Sequence, residues 1–130
     1  MSKWLFVGAF LCAVAACGGG SSGVSSGKTL VSLSDSEITD LCEYLVDVAG
    51  PARTVDCGGG DTVMIGGGSV SACTTGLKAA RTEDPSCGAT VNDAESCSED
   101  LSDLSDAELC SDSTPFPSAC LPLLQCDAEI

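Results

Sequence analysis

Leu33-Ser34-Asp35-Ser36-Glu37-Ile38-Thr39-Asp40-Leu41-Cys42-Glu43-Tyr44-Leu45-Val46-Asp47-Val48-Ala49 decides the fold. Ser34 followed three residues later by Glu37 is a capping box, in which each side chain satisfies the other residue's backbone N–H. Leu33 and Ile38 flank it at the positions of a hydrophobic staple. Asp35 and Glu37 complement the positive end of the helix dipole. Ile38, Leu41, Cys42, Leu45 and Ala49 then recur on one face with Val48 beside them, while Asp40, Glu43 and Asp47 fall on the other. Gly50-Pro51 ends the helix. A cysteine on the apolar face predicts a helix stapled to its neighbours.

The rest of the chain repeats this grammar. Thr54–Cys57 and Thr62–Ile65 are short β-prone runs around Gly58-Gly59-Gly60-Asp61, a small hairpin. The glycines do not form a phosphate loop, because the Lys-Ser/Thr ending and its spacing are missing. Ser69 caps a helix reaching about Ala80, with Val70, Cys73 and Leu77 on one face. Thr90 with Asp93 opens another, carrying Ala94, Cys97, Leu101 and Leu104, with a polar face of Asp93, Glu95, Glu99, Asp100 and Asp103. Ser105 and Glu108 form a further capping box. Pro115 to Cys126 reads as a short helix or turn that offers Leu121, Leu123 and Leu124 to the core. The expected fold is small, mostly α and disulfide-rich, with three to four short helices and a small β-hairpin.

The chain has 130 residues and ten cysteines. Cys12 and Cys17 lie in or beside an apolar N-terminal segment. The other eight are Cys42, Cys57, Cys73, Cys87, Cys97, Cys110, Cys120 and Cys126. An even set in a short exported chain implies four disulfides, and eight cysteines allow 105 pairings. On one straight helix Cys120 and Cys126 would stand about 9 Å apart along the axis, so each should bond elsewhere. Apart from Tyr44 and Phe116 the domain lacks aromatic residues, so a marginal core leans on these bridges.

Charge and composition exclude several functions. The formal net charge is −14 and histidine is absent. After the first sixteen residues only Lys28, Arg53, Lys78 and Arg81 face nineteen Asp and Glu. Nucleic acid, which requires basic patches, is excluded as a partner. The lack of histidine removes the commonest general base and any Ser-His-Asp triad. No enzyme is expected, no catalytic, cofactor-binding or metal-ligating residue is assigned, and no cofactor is implied. The alternative is a divalent cation, calcium, on the acidic stretch Asp93 to Asp106, since hard oxygen ligands suit it. The spacing of an EF-hand loop is missing there.

At the N-terminus Lys3 precedes Trp4–Ala16, an uncharged run too short to span a bilayer, which needs about 20 apolar residues. Its end, Val14-Ala15-Ala16-Cys17, resembles the lipobox of bacterial lipoproteins. The resemblance implies that residues 1–16 are a signal peptide cut between Ala16 and Cys17. It also implies that Cys17 is acylated and holds the protein on a lipid bilayer. Gly18 to Lys28 reads as a flexible Gly/Ser tether, so residues 17–29 form anchor and tether and 30–130 the Cys-rich domain. An Asp after the acylated cysteine resembles the inner-membrane retention signal of enterobacteria; Gly18 in its place favours the outer membrane, with the domain facing the periplasm or the surface.

Leu41-Cys42 on the opening helix, Thr90-Val91 before Cys97, and the Cys120-x-Pro-Leu-Leu-x-Cys126 ending resemble uncharacterised Cys-rich lipoproteins of myxobacterial type. That likeness implies an envelope location and no activity. The expected role is a non-enzymatic binding or structural module with a protein partner in the envelope.

Overall fold

Each helix starts where its capping chemistry places it. In a computed structural model, which describes residues 20–126, α1 spans Asp35–Ala49, and Ser34 and Glu37 exchange both bonds of the capping box. Two antiparallel strands follow, β1 (Arg53–Gly58) and β2 (Asp61–Ile65). Then come α2 (Val70–Glu83), capped by Ser69, and α3 (Val91–Ser102), boxed by Thr90 and Asp93. The last two are α4 (Asp106–Leu109), boxed by Ser105 and Glu108, and α5 (Leu121–Cys126). Single 3-10 turns at Leu30–Ser32 and Ser118–Cys120 precede α1 and α5. The described residues thus form a small, mainly helical, disulfide-rich fold with one hairpin. It has five helices, counting the four-residue α4 at the Ser105–Glu108 box and the short α5.

Helix α1 is the centre, packed against α2 on one side and α3 on the other. Ile38, Leu41 and Cys42 are fully buried, together with Leu33 and Val91. Leu30, Ala89 and Ala94 complete this cluster, and Leu45, Leu77 and Leu123 pack against it half-buried. Truncating a side chain such as Leu41 to Ala costs about 2–5 kcal/mol in such surroundings. Two cations of α2 grip the start of α1. Arg81 donates to the Leu33 carbonyl and to Asp35 (both 2.9 Å), and Lys78 pairs with Asp35 at 3.1 Å. These groups are exposed, so each pair contributes less than about 1 kcal/mol.

The hairpin lies apart from this core. Gly59 and Gly60, both at positive φ, make its two-residue turn, as primed turns require. Val55 is buried, while Met64 is 74 % exposed. Arg53 reaches Asp106 at 2.7 Å, and Cys57 bonds to Cys110 just after α4.

The four bridges are Cys42–Cys73, Cys57–Cys110, Cys87–Cys126 and Cys97–Cys120. As expected, Cys120 and Cys126 do not pair with each other. Only the first bridge joins two helix interiors. The others tie a strand, a loop and a 3-10 turn to the helical layer, so inter-helix bridging was too general an expectation.

Three further expectations need correction. The Gly/Ser segment is not a free tether over residues 20–29. Val24 is buried, Asn92 donates to the Ser26 carbonyl at 3.0 Å, Val91 to that of Lys28 at 2.9 Å, and Thr29 bridges Thr90. Residues 20–29 therefore belong to the folded unit. Leu121 and Leu124 are about half exposed, and of that trio only Leu123 packs inward. Leu101, placed on the apolar face of α3, is 37 % exposed at the end of that helix.

Candidate functional site

Three places were expected to carry function, and they fall differently on the structure. The cleavage pair Ala16 and Cys17, with acylation at Cys17, lies outside the described residues. The cysteines from Cys42 to Cys126 are all joined within the domain. The acidic stretch from Asp93 to Asp106 is drawn out along α3 and α4.

Many carboxylates and hydroxyls of the polar faces hold structure. Glu37, Asp93 and Glu108 each close a capping box. Lys28 donates to Glu37 at 2.5 Å; with the Ser34 N–H it holds the Glu37 carboxyl down at about 2. The Ser105 hydroxyl and N–H likewise lower Glu108, and Lys78 and Arg81 lower Asp35. Glu95 accepts from both the backbone and the hydroxyl of Ser22. Glu99 accepts from the Tyr44 hydroxyl. Burial first, and Glu99 second, push that phenol up to about 12. Glu95 and Glu99, read as members of a wet face, are thus half-buried acceptors.

A groove of about 420 Å³ runs between the C-terminal halves of α1 and α3. It is lined by Gly20, Tyr44, Asp47, Glu99, Ser102 and Asp103. It is electronegative three times over. Asp47, Glu99 and Asp103 contribute charge, two helices end there, and neither has a basic residue in its last turn.

The larger cleft, about 480 Å³, opens at the other end of α1. Its walls are Leu30, Leu77, Ala80, Pro85, Leu123 and the Cys87–Cys126 bridge, with Glu83 and Asp84 also lining it. Nothing in the sequence marked it, because its walls come from three separated segments. Chemically it can bury an apolar group, and at its edge the Ser86 hydroxyl donates to the Asp84 carboxylate at 2.7 Å.

Among the described residues one trio has ligand atoms close enough for a metal ion, Asp84, Cys87 and Cys126. Its two sulfurs form one disulfide, so no thiolate is present to bind. The carboxylates from Asp93 to Asp106 supply no such trio. A Ser-x-x-Lys spacing, used by some acyl-enzymes, does occur from Ser25 to Lys28, but the Lys28 ammonium is committed to Glu37. Among the described residues no helix is long and apolar enough to cross a membrane.

Comparison with protein-family models, with curated proteins and with solved structures finds no match for this chain.

Proposed function

We propose that this protein is a lipid-anchored module of a bacterial cell envelope. Acylated Cys17 holds it to the bilayer, and the disulfide-stapled domain serves a non-enzymatic binding or structural role towards another envelope protein. The observation that supports this most is the disulfide pairing. All eight cysteines from Cys42 to Cys126 are satisfied by one another, so the fold asks nothing of Cys17. A cysteine the scaffold does not need, placed after Val14-Ala15-Ala16, is the acceptor that lipid attachment requires. Four bridges also fit an oxidising compartment outside the cytoplasm. Support for a non-enzymatic role comes from how the reactive groups are spent, on caps, on Ser22 and on Tyr44. The outer membrane is the favoured location.

The deciding measurement is the intact mass of the membrane-extracted protein, before and after reduction and alkylation. The reading requires a chain starting at Cys17 with added acyl mass and eight cysteines that alkylate only after reduction. An unacylated start, or thiols that react in the native protein, would overturn it. In the same cells Cys17→Ser should move the protein out of the detergent phase.

A further inference from the structure

The sequence gives the anchor a long leash, and the structure takes most of it away. Ser22 is already fixed to α3 through Glu95, and Val24, two residues on, is buried. From there to Leu30 the chain is bonded into the edge of α3. The carbonyls of Ser26, Lys28 and Ala89 accept from Asn92, Val91 and Leu30. Between Cys17 and Ser22 the chain holds only Gly18, Gly19, Gly20 and Ser21. Fully extended, five residue steps span about 17 Å, and the three steps to Gly20 about 10 Å. The anchored domain is therefore held within about 17 Å of the bilayer at Ser22.

The point at which the chain joins the domain selects the side that faces the membrane. Gly20 sits against the Tyr44 ring, so closely that a Cβ added there would lie 3.3 Å from Cε2. This is the mouth of the groove between the C-terminal halves of α1 and α3, with Asp47, Glu99 and Asp103 around it. The apolar cleft lies at the opposite end of α1, where Arg81 binds Leu33 and Asp35. Tyr44 and Asp35 are separated by about 13 Å of helix.

We infer that the electronegative end of the α1–α3 pair is the membrane-facing surface of this protein, and that it fits a head-group layer whose positive charge is available. Such a layer is zwitterionic lipid. The cleft end is held outward. This inference rests on Cys17 being the anchor. The electrostatic part follows from distance. A gap of about 10 Å is close to the Debye length of about 8 Å at physiological salt, so head-group charge is felt there and not beyond. Anionic lipid without a counter-cation repels this end and drives the linkage to full extension.

The test uses the processed chain from Cys17 to Ile130, oxidised and isotope-labelled. Its Cys17 thiol is coupled to a maleimide lipid in phosphatidylcholine nanodiscs doped with a nitroxide head-group lipid. Coupling by chemistry makes the outcome independent of whether cells acylate Cys17, which the intact mass decides separately. Amide signals of residues 44–48 and 99–103 should be lost to the nitroxide while those of 83–87 survive. Inserting a twelve-residue Gly/Ser spacer after Gly19 should abolish the contrast. Exchanging part of the lipid for phosphatidylglycerol should weaken the contrast, and millimolar magnesium should restore it. Uniform loss across the domain at native spacing, or stronger loss at the cleft end, overturns the orientation. A contrast indifferent to phosphatidylglycerol overturns the head-group preference.

Discussion

Ser22 donates its backbone N–H (2.8 Å) and its hydroxyl (2.6 Å) to the same oxygen of Glu95, 73 residues further along the chain. This double bond to one carboxylate converts a Gly/Ser segment into part of the fold. Its Ser22 hydroxyl also accepts from the Val24 N–H at 3.2 Å, which sets Val24 for burial.

Glu95→Ala should release that segment without unfolding the helices. Hydrogen bonds to a charged acceptor are worth about 1.5–3 kcal/mol each when buried; these are only half-buried, so a total near 1–2 kcal/mol is expected. The amides of Val91 and Asn92, which donate to Lys28 and Ser26, should exchange faster in the variant. Exchange at Leu41 should track only the small global loss. If Val91 and Asn92 keep their protection, the latch is not what holds residues 20–29.

Acid should weaken the fold through Glu37. Its folded-state value, about 2, lies below the ordinary 4.5, so its stabilisation is complete above about pH 4.5 and is lost as pH falls towards 2. Asp35 and Glu108 shift in the same direction. Relief of repulsion in a chain of net charge −14 acts the opposite way, so wild type alone is ambiguous. Glu37→Gln resolves this, because glutamine still closes a capping box but cannot pair with Lys28. The gap in urea midpoint between the two proteins should be constant above pH 4.5 and close by pH 2. A gap that persists unchanged at pH 2 would show that the Lys28–Glu37 pair contributes nothing.

The bridges should differ in reach although their loop entropies are alike. Separations of 31 and 53 residues give Cys42–Cys73 and Cys57–Cys110 about 4 kcal/mol each by chain entropy. Cys42 lies in the centre of the core, whereas Cys57 ties down a two-stranded hairpin that is marginal alone. Replacing Cys42 and Cys73 by alanine should lower the melting temperature of the whole domain. Replacing Cys57 and Cys110 should leave helical circular dichroism intact and expose only the amides of residues 53–65. Loss of helicity in the second variant would refute this division.

These contrasts also mark where sequence is readable. Caps are local chemistry, so Ser34, Thr90 and Ser105 announced α1, α3 and α4 with their partners already in place. The docking of residues 20–29 had no local sign, since a Gly/Ser run has no periodicity and its acceptor, Glu95, looks like any surface acid. The outward turn of Leu121 and Leu124 was hidden for a related reason. Cys126 is bonded to Cys87, and Leu123 lies three residues before it on the same face of α5. Once that bridge forms, Leu123 turns inward with Cys126, and Leu121 and Leu124 stay half exposed. The pairing that decides this is a tertiary fact that cysteine spacing alone leaves among 105 choices.

Two glycines test the same distinction between local and tertiary constraint. Gly76 lies inside α2, and a Cβ there meets nothing within 4 Å. Gly76→Ala should therefore stabilise the domain by about 0.5–1 kcal/mol, the usual helix-interior gain. Gly66 has φ +72°, and a Cβ there would lie 2.4 Å from the Pro51 carbonyl oxygen and 2.8 Å from that of Gly50. The left-handed conformation alone costs a side chain about 1–2 kcal/mol, and backbone oxygens cannot step aside as a flexible side chain would. Next to it, the Gly67 N–H donates to the Gly50 carbonyl at 2.9 Å, so the end of β2 is folded tightly over the end of α1. Gly66→Ala should lower the thermal midpoint and Gly76→Ala should raise it. Equal effects in one direction would mean that the close return of the chain over Gly50-Pro51 is absent in solution.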